Sequence, residues 1–134
     1  MPQRKILVAD DSRVFRATVR RTLAHAGYDV TLAADGEEAV QLARREQPDL
    51  VILDVHMPIK DGYSACEEIL ASDDRETPVP IVFLTCDRAK HLAALGDDLG
   101  AYLTKPVTDE LLLKTIHRLL HGTAQSETCA GISG

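Results

Sequence analysis

Five positions in this chain carry groups that could act together on a phosphoryl group: the adjacent acids Asp10 and Asp11, the acid Asp54, the hydroxyl Thr85 and the ammonium Lys105. Three carboxylates brought to one point repel one another. They become stable around a hard divalent cation that prefers oxygen ligands, and Mg²⁺ fits that description best. A lysine and a hydroxyl beside such a cluster neutralise and hydrogen-bond phosphoryl oxygens, and one carboxylate can then act as a nucleophile, forming an acyl phosphate. Taken alone, Asp10-Asp11 reads equally well as a helix cap. The group of five carries the reading.

The groups meet only if the chain brings them to one place, and the hydrophobic pattern says how. Lys5–Asp10 (KILVAD), Tyr28–Ala33, Asp49–Asp54 (DLVILD), Pro80–Thr85 (PIVFLT) and Ala101–Thr104 are short apolar runs, as expected of buried parallel strands. Four of the five deliver a polar or ionisable group at or just past their carboxyl ends. Between them the period becomes helical. Val14, Phe15, Thr18, Val19, Thr22, Leu23 and Ala26 share one face after a cap at Asp11 or Ser12, with Gly27 at the C-terminal stop. Asp35 and Glu38 open a second helix that Pro48 ends. Residues 63–71 predict a third, residues 88–95 a fourth, and Thr108-Asp109-Glu110 caps a last helix through Leu120. Asp61-Gly62 reads as part of a loop with His56-Met57-Pro58. Strand–helix alternation implies a parallel sheet with right-handed crossovers. Helices on both faces require a reversal of winding, and ligands bind beyond the strand ends at that reversal.

The 134 residues suit one domain, with 45% hydrophobic and 27% charged residues. A net charge of −6 disfavours direct nucleic-acid binding. No run approaches the roughly 20 apolar residues of a membrane span, and no export signal is legible, so the expectation is cytoplasmic. Cys66, Cys86 and Cys129 show no paired spacing and read as free thiols, and the scattered histidines offer no zinc pattern. Arg13, Arg16, Arg20 and Arg21 on the first helix read as a solvated face, or as a docking patch for a phosphodonor protein.

Asp10-Asp11, Asp54 followed by Met57-Pro58 and Asp61-Gly62, Thr85, and Lys105-Pro106 resemble the receiver domain of two-component response regulators, over residues 4–121. The resemblance implies a doubly wound, flavodoxin-like α/β fold of order 2-1-3-4-5 with five flanking helices, followed by a flexible tail over 122–134. It implies Asp54 as phosphoacceptor, with Mg²⁺ held by Asp11, Asp54 and the backbone carbonyl of His56, and by Asp10 mainly through a water. Thr85 and Lys105 would hold the phosphoryl group, Lys105-Pro106 would be a cis peptide, and Tyr102 would be the aromatic that turns inward with Thr85 in a two-state switch. The implied partners are a sensor histidine kinase or histidine phosphotransfer protein upstream and a protein downstream, with a homodimer through the last helix left open. The domain would be a signalling switch, not an enzyme on external substrates, either free-standing or excised from a larger regulator or hybrid kinase. A haloacid-dehalogenase-like phosphatase would want a DxD pair where this chain has adjacent acids. A flavodoxin-like cofactor binder would want a Ser/Thr/Gly-rich loop after Ala9. Val107, Cys86, the run Asp97–Ala101, His56 and Asp87 are positions where the chain departs from the family pattern or where the family tunes its chemistry.

Overall fold

A computed structural model describes residues 3–75, 78–85, 100–105 and 107–121. The elements run β1 (Lys5–Ala9), α1 (Arg13–His25), β2 (Asp29–Ala33), α2 (Gly36–Glu46), β3 (Leu50–Asp54), α3 (Gly62–Ala71), β4 (Ile81–Thr85), β5 (Gly100–Thr104) and α4 (Asp109–His121). All four pairings of the sheet are parallel, in the order β2-β1-β3-β4-β5. The helix expected over residues 88–95 and the tail from 122 lie outside the described residues.

Side chains alternate across a strand, so each apolar strand feeds two cores. Leu7, Ala9, Val51, Leu53, Ile81 and Phe83 point to one face, where Ala39 and Val40 of α2 and Ala65, Cys66 and Ile69 of α3 cover them. Ile6, Val8, Leu50, Ile52, Val82 and Leu84 point to the other, under Val19 and Leu23 of α1 and Leu112 and Ile116 of α4. β1, β3 and β4 are therefore apolar without alternation because both of their faces are buried. The winding reverses between β1 and β3, and the site lies just beyond that reversal.

Local chemistry ends each helix near where the sequence places it. Ser12 caps α1 by accepting from the Phe15 N–H, and Asp35 caps α2 by accepting from the Glu38 N–H. The Glu38 carboxylate reaches back to the Ala34 N–H, closing the second half of the capping box. Gly27 follows α1 with φ +97°, and Gln47 ends α2 in the left-handed region at φ 50°. Thr108 accepts from the Leu111 N–H at the start of α4.

Asp61-Gly62 differs from expectation. Asp61 is the N-cap of α3, accepting from the Ser64 N–H, and Gly62 is the helix's first residue. A Cβ on Gly62 would fall less than 3.0 Å from the Asp54 carbonyl oxygen and 3.0 Å from Val55 Cα. The glycine is demanded by close packing of α3 under the end of β3, not by turn geometry.

Candidate functional site

The sheet register fixes the site's backbone. Ala9 pairs with Leu53 and Asp54 with Leu84. Beyond the paired residues, the Asp10 N–H bonds the Ala33 carbonyl at 3.1 Å, the Val55 N–H bonds Leu84 at 2.9 Å, and the Lys105 N–H bonds Thr85 at 2.9 Å. Asp10, Asp54, Thr85 and Lys105 therefore leave the sheet at one edge, on backbone that is already tied down. Asp10, Asp54 and Thr85 are all buried, and Asp11 is exposed.

One carboxylate oxygen from each of Asp10, Asp11 and Asp54 lies within 4.8 Å of the other two. The Lys105 ammonium is 2.6 Å from Asp10 Oδ2 and 3.6 Å from Asp54 Oδ2. The other Asp10 oxygen accepts from the Ser12 N–H at 2.8 Å, so this buried charge is held by a cation on one side and a helix start on the other. Asp54 is less well compensated. It accepts from the His56 N–H at only 3.3 Å. Burial raises its pKa above the ordinary carboxylate value, with the neighbouring Asp10 adding to the effect and Lys105 opposing it.

That imbalance bears on the metal question. Three hard oxygen donors converge, two of them buried, and one, Asp54, resists ionisation because of its burial and the neighbouring Asp10. An octahedral Mg²⁺ has ligand oxygens about 2 Å from the ion, so its ligands lie roughly 3–4 Å apart. The spacing and the donor set fit. His56 is exposed and enters the site through its backbone N–H. Of the remaining residues singled out in the sequence, Tyr102 contributes backbone to β5, while its side chain, Pro106, Cys86 and Asp87 lie outside the described residues. Val107 packs half-buried against the core under α4.

Comparison with known proteins agrees with this geometry. The family model of the response regulator receiver domain matches residues 6–117. The chain belongs to that family. Response regulator MprA of Mycobacterium leprae is 37% identical over 131 residues, covering 96% of this chain and 56% of that protein. This receiver spans about half the length of the curated relatives it matches. Among solved structures, chemotaxis protein CheY4 of Vibrio cholerae is 36% identical with a TM-score of 0.80, over 89% of this chain and all of that one. The receiver domain of sensor histidine kinase PA1611 from Pseudomonas aeruginosa is 33% identical with a TM-score of 0.77, over 89% of this receiver and 98% of that chain. That structure has a magnesium ion coordinated in its active-site cleft. Receiver domains are signalling switches of two-component systems, and that is the class of this protein.

Two residues of α1 belong to the site although sequence reasoning left them out of it. Arg16 donates from its guanidinium to the Asp10 carbonyl oxygen at 2.7 Å, so it is not simply part of a solvated or docking face. Phe15 places its ring 4.4 Å from the Lys105 ammonium, measured to the centroid. Helical periodicity marks Phe15 as core and Arg16 as surface. Their contacts with groups at a strand end and across 90 positions of sequence leave no periodic trace.

A third connection braces the loop after Asp54. Lys60 pairs with Glu68 of α3 and, at 3.3 Å, with Glu37 of α2. A Cβ on Gly36 would collide with the Lys60 backbone, so the first turn of α2 packs directly on this loop. The loop that follows Asp54 is thus tied to α2 and α3 as well as to the sheet.

Proposed function

We propose that this receiver is the phosphoacceptor of a phosphorelay and that Asp54 carries the phosphoryl group. One observation supports this above the others: Asp54 ends the central strand with its carboxylate buried, beside two further carboxylates and a lysine ammonium 3.6 Å away. In the proposed reaction an Asp54 carboxylate oxygen donates an electron pair to phosphorus and a P–O bond forms. The P–N bond to a phosphohistidine donor breaks, and the imidazole leaves with that pair. Attack by water on the acyl phosphate later restores the carboxylate and releases inorganic phosphate.

Asp11, Asp54 and the His56 carbonyl would hold Mg²⁺, with Asp10 acting through a water. When bound, the cation supplies the positive charge that phosphoryl oxygens and an ionised Asp54 both require. Lys105 would turn from Asp10 toward a phosphoryl oxygen, Thr85 would donate a hydrogen bond to another, and Tyr102 would move with Thr85. A Lys105-Pro106 cis peptide belongs to the same reading. The receiver would catalyse its own phosphorylation and dephosphorylation in this way. A sensor histidine kinase or a histidine phosphotransfer protein would supply the phosphoryl group, and a protein contact would read the result. The receiver unit would be residues 4–121, acting in the cytoplasm.

Because the matched relatives are about twice as long, we also propose that this receiver serves within a larger regulator. Incubation with Mg²⁺ and a small acyl-phosphate donor, followed by intact mass measurement, tests the central claim. One added phosphoryl group on the wild type, absent in Asp54→Asn and without Mg²⁺, is expected. An unmodified wild type would sink it.

A further inference from the structure

A lysine that must present its ammonium to a phosphoryl group has a difficulty of its own. Its four-carbon stem is flexible, and ordering it costs entropy. Around Lys105, the Asp10 and Asp54 carboxylates lie 2.6 and 3.6 Å from the ammonium. The Phe15 ring lies 4.4 Å away, within the distance at which the negative face of an aromatic ring attracts a cation.

The ring is itself held in place. Ser12 Oγ accepts the Phe15 N–H at 3.2 Å, and the Ser12 N–H in turn bonds Asp10. Arg16, one residue on, grips the Asp10 carbonyl. The ring packs half-buried against the core that holds Val19 and Leu23. The first turn of α1 is therefore referenced to Asp10, the acid with which Lys105 pairs.

We infer that Phe15 is a positioning residue for Lys105, holding the ammonium at the mouth of the site through its ring face, from which it can donate to a phosphoryl group. A third carboxylate could restrain the lysine equally well, but its charge would repel the incoming phosphoryl oxygens. A ring attracts the cation without adding net charge. The inference rests on the reading of Lys105 as the phosphoryl-binding cation.

Replacement of Phe15 by 4-fluoro- and then 3,4,5-trifluorophenylalanine in the full chain keeps the ring's shape nearly constant while weakening its negative face. The second-order rate of phosphorylation by acetyl phosphate with saturating Mg²⁺ should fall stepwise, by about threefold to tenfold at the end of the series. Thermal unfolding should stay nearly unchanged, and Phe15→Leu should match or exceed the trifluoro variant. Proton NMR of the metal-free protein gives an independent reading. The Lys105 ε-methylene protons should be shifted upfield by the ring current in the wild type and return to ordinary positions in Phe15→Leu. A flat fluorine series with an active wild type would overturn the role of Phe15 and leave the proposed function standing. Unshifted ε-protons in the wild type would also overturn it. A wild type that takes no phosphoryl group would remove both readings together.

Discussion

Gly62→Ala should be among the most damaging single-methyl additions in this receiver. The new Cβ would lie less than 3.0 Å from the Asp54 carbonyl oxygen, 3.0 Å from Val55 Cα and 3.1 Å from the Asp54 carbonyl carbon, where ordinary contact begins at 3.4 Å. All three atoms are backbone, so no side chain can rotate away. The backbone is also pinned. The Val55 N–H bonds Leu84 at 2.9 Å and the Gly62 N–H bonds the Val55 carbonyl at 2.9 Å, so relief requires α3 to lift from the end of β3. Overpacking of this kind costs about 1–3 kcal/mol and occasionally more. With no soft neighbour to absorb the strain, about 3 kcal/mol is expected. The helix-propensity gain of alanine, at most about 1 kcal/mol, offsets part of it. For a domain of this size that is a fall in Tm of roughly 10 °C. Urea unfolding followed by far-UV circular dichroism measures it, with Gly27→Ala as the control. Gly27 has φ +97° and nothing within 4 Å of where an added methyl would sit, so only backbone strain of about 1–2 kcal/mol is at stake there. A Gly62→Ala variant within about 0.5 kcal/mol of wild type, or one less destabilised than Gly27→Ala, would refute the reasoning.

Three further outcomes follow from the charges and the backbone. The folded-state pKa of Asp54 is raised, so the metal-free fold binds that proton more tightly than the unfolded chain does. The stability gap between Asp54→Asn and wild type should therefore widen in the variant's favour as pH rises from the ordinary carboxylate value through the raised one, as paired denaturation curves without Mg²⁺ would show. Asp73 has the opposite sign: its pKa is lowered, first by the Arg75 guanidinium, and it also accepts the Val79 N–H. Asp73→Asn should cost about 1–2 kcal/mol at neutral pH, and that loss should vanish as pH falls through the lowered value; a pH-independent difference would contradict the assignment. Ile59 sits at φ 71° with 81% of its surface exposed, an unfavourable conformation for a β-branched residue that buries little in return. Ile59→Asn should raise stability by about 1 kcal/mol in the same urea assay, and no gain would mean that the loop is strained for another reason.

Much of this fold is legible because the strands of a doubly wound sheet are buried on both faces. KILVA, LVILD and IVFLT are each too apolar and too short to be anything else, and the polar groups at or just past their ends stand out against that background. The same contrast exposes Asp10, Asp54 and Thr85. What stays hidden is whatever depends on closeness between distant backbones. Gly62 reads as a turn glycine, yet its reason is the Asp54 carbonyl beneath it. Arg16 reads as solvated because Arg13, Arg20 and Arg21 share its helix, yet it reaches Asp10. Lys60 lies in a loop two residues after Pro58 and offers no signal that Glu37 and Glu68 will converge on it from two helices.

These hidden contacts all lie around Asp10 and Asp54, and that placement has an energetic reason. Ionised Asp54 sits in a site whose burial and whose neighbour Asp10 both oppose its charge. The fold must hold that group where it is disfavoured, and it does so by fixing the chain around it: a hydrogen bond from the Val55 N–H to β4, a glycine contact from α3, and a loop braced to α2 by the Lys60–Glu37 ion pair. Lys105 gives its short contact to Asp10 and only a long one to Asp54. By linkage, any ligand that supplies positive charge to Asp54, or that binds better when Asp54 is ionised, must stabilise the fold by the same free energy that the fold contributes to binding it. A cation bound at this site would therefore stabilise the fold, because the unliganded protein leaves that one charge under-compensated.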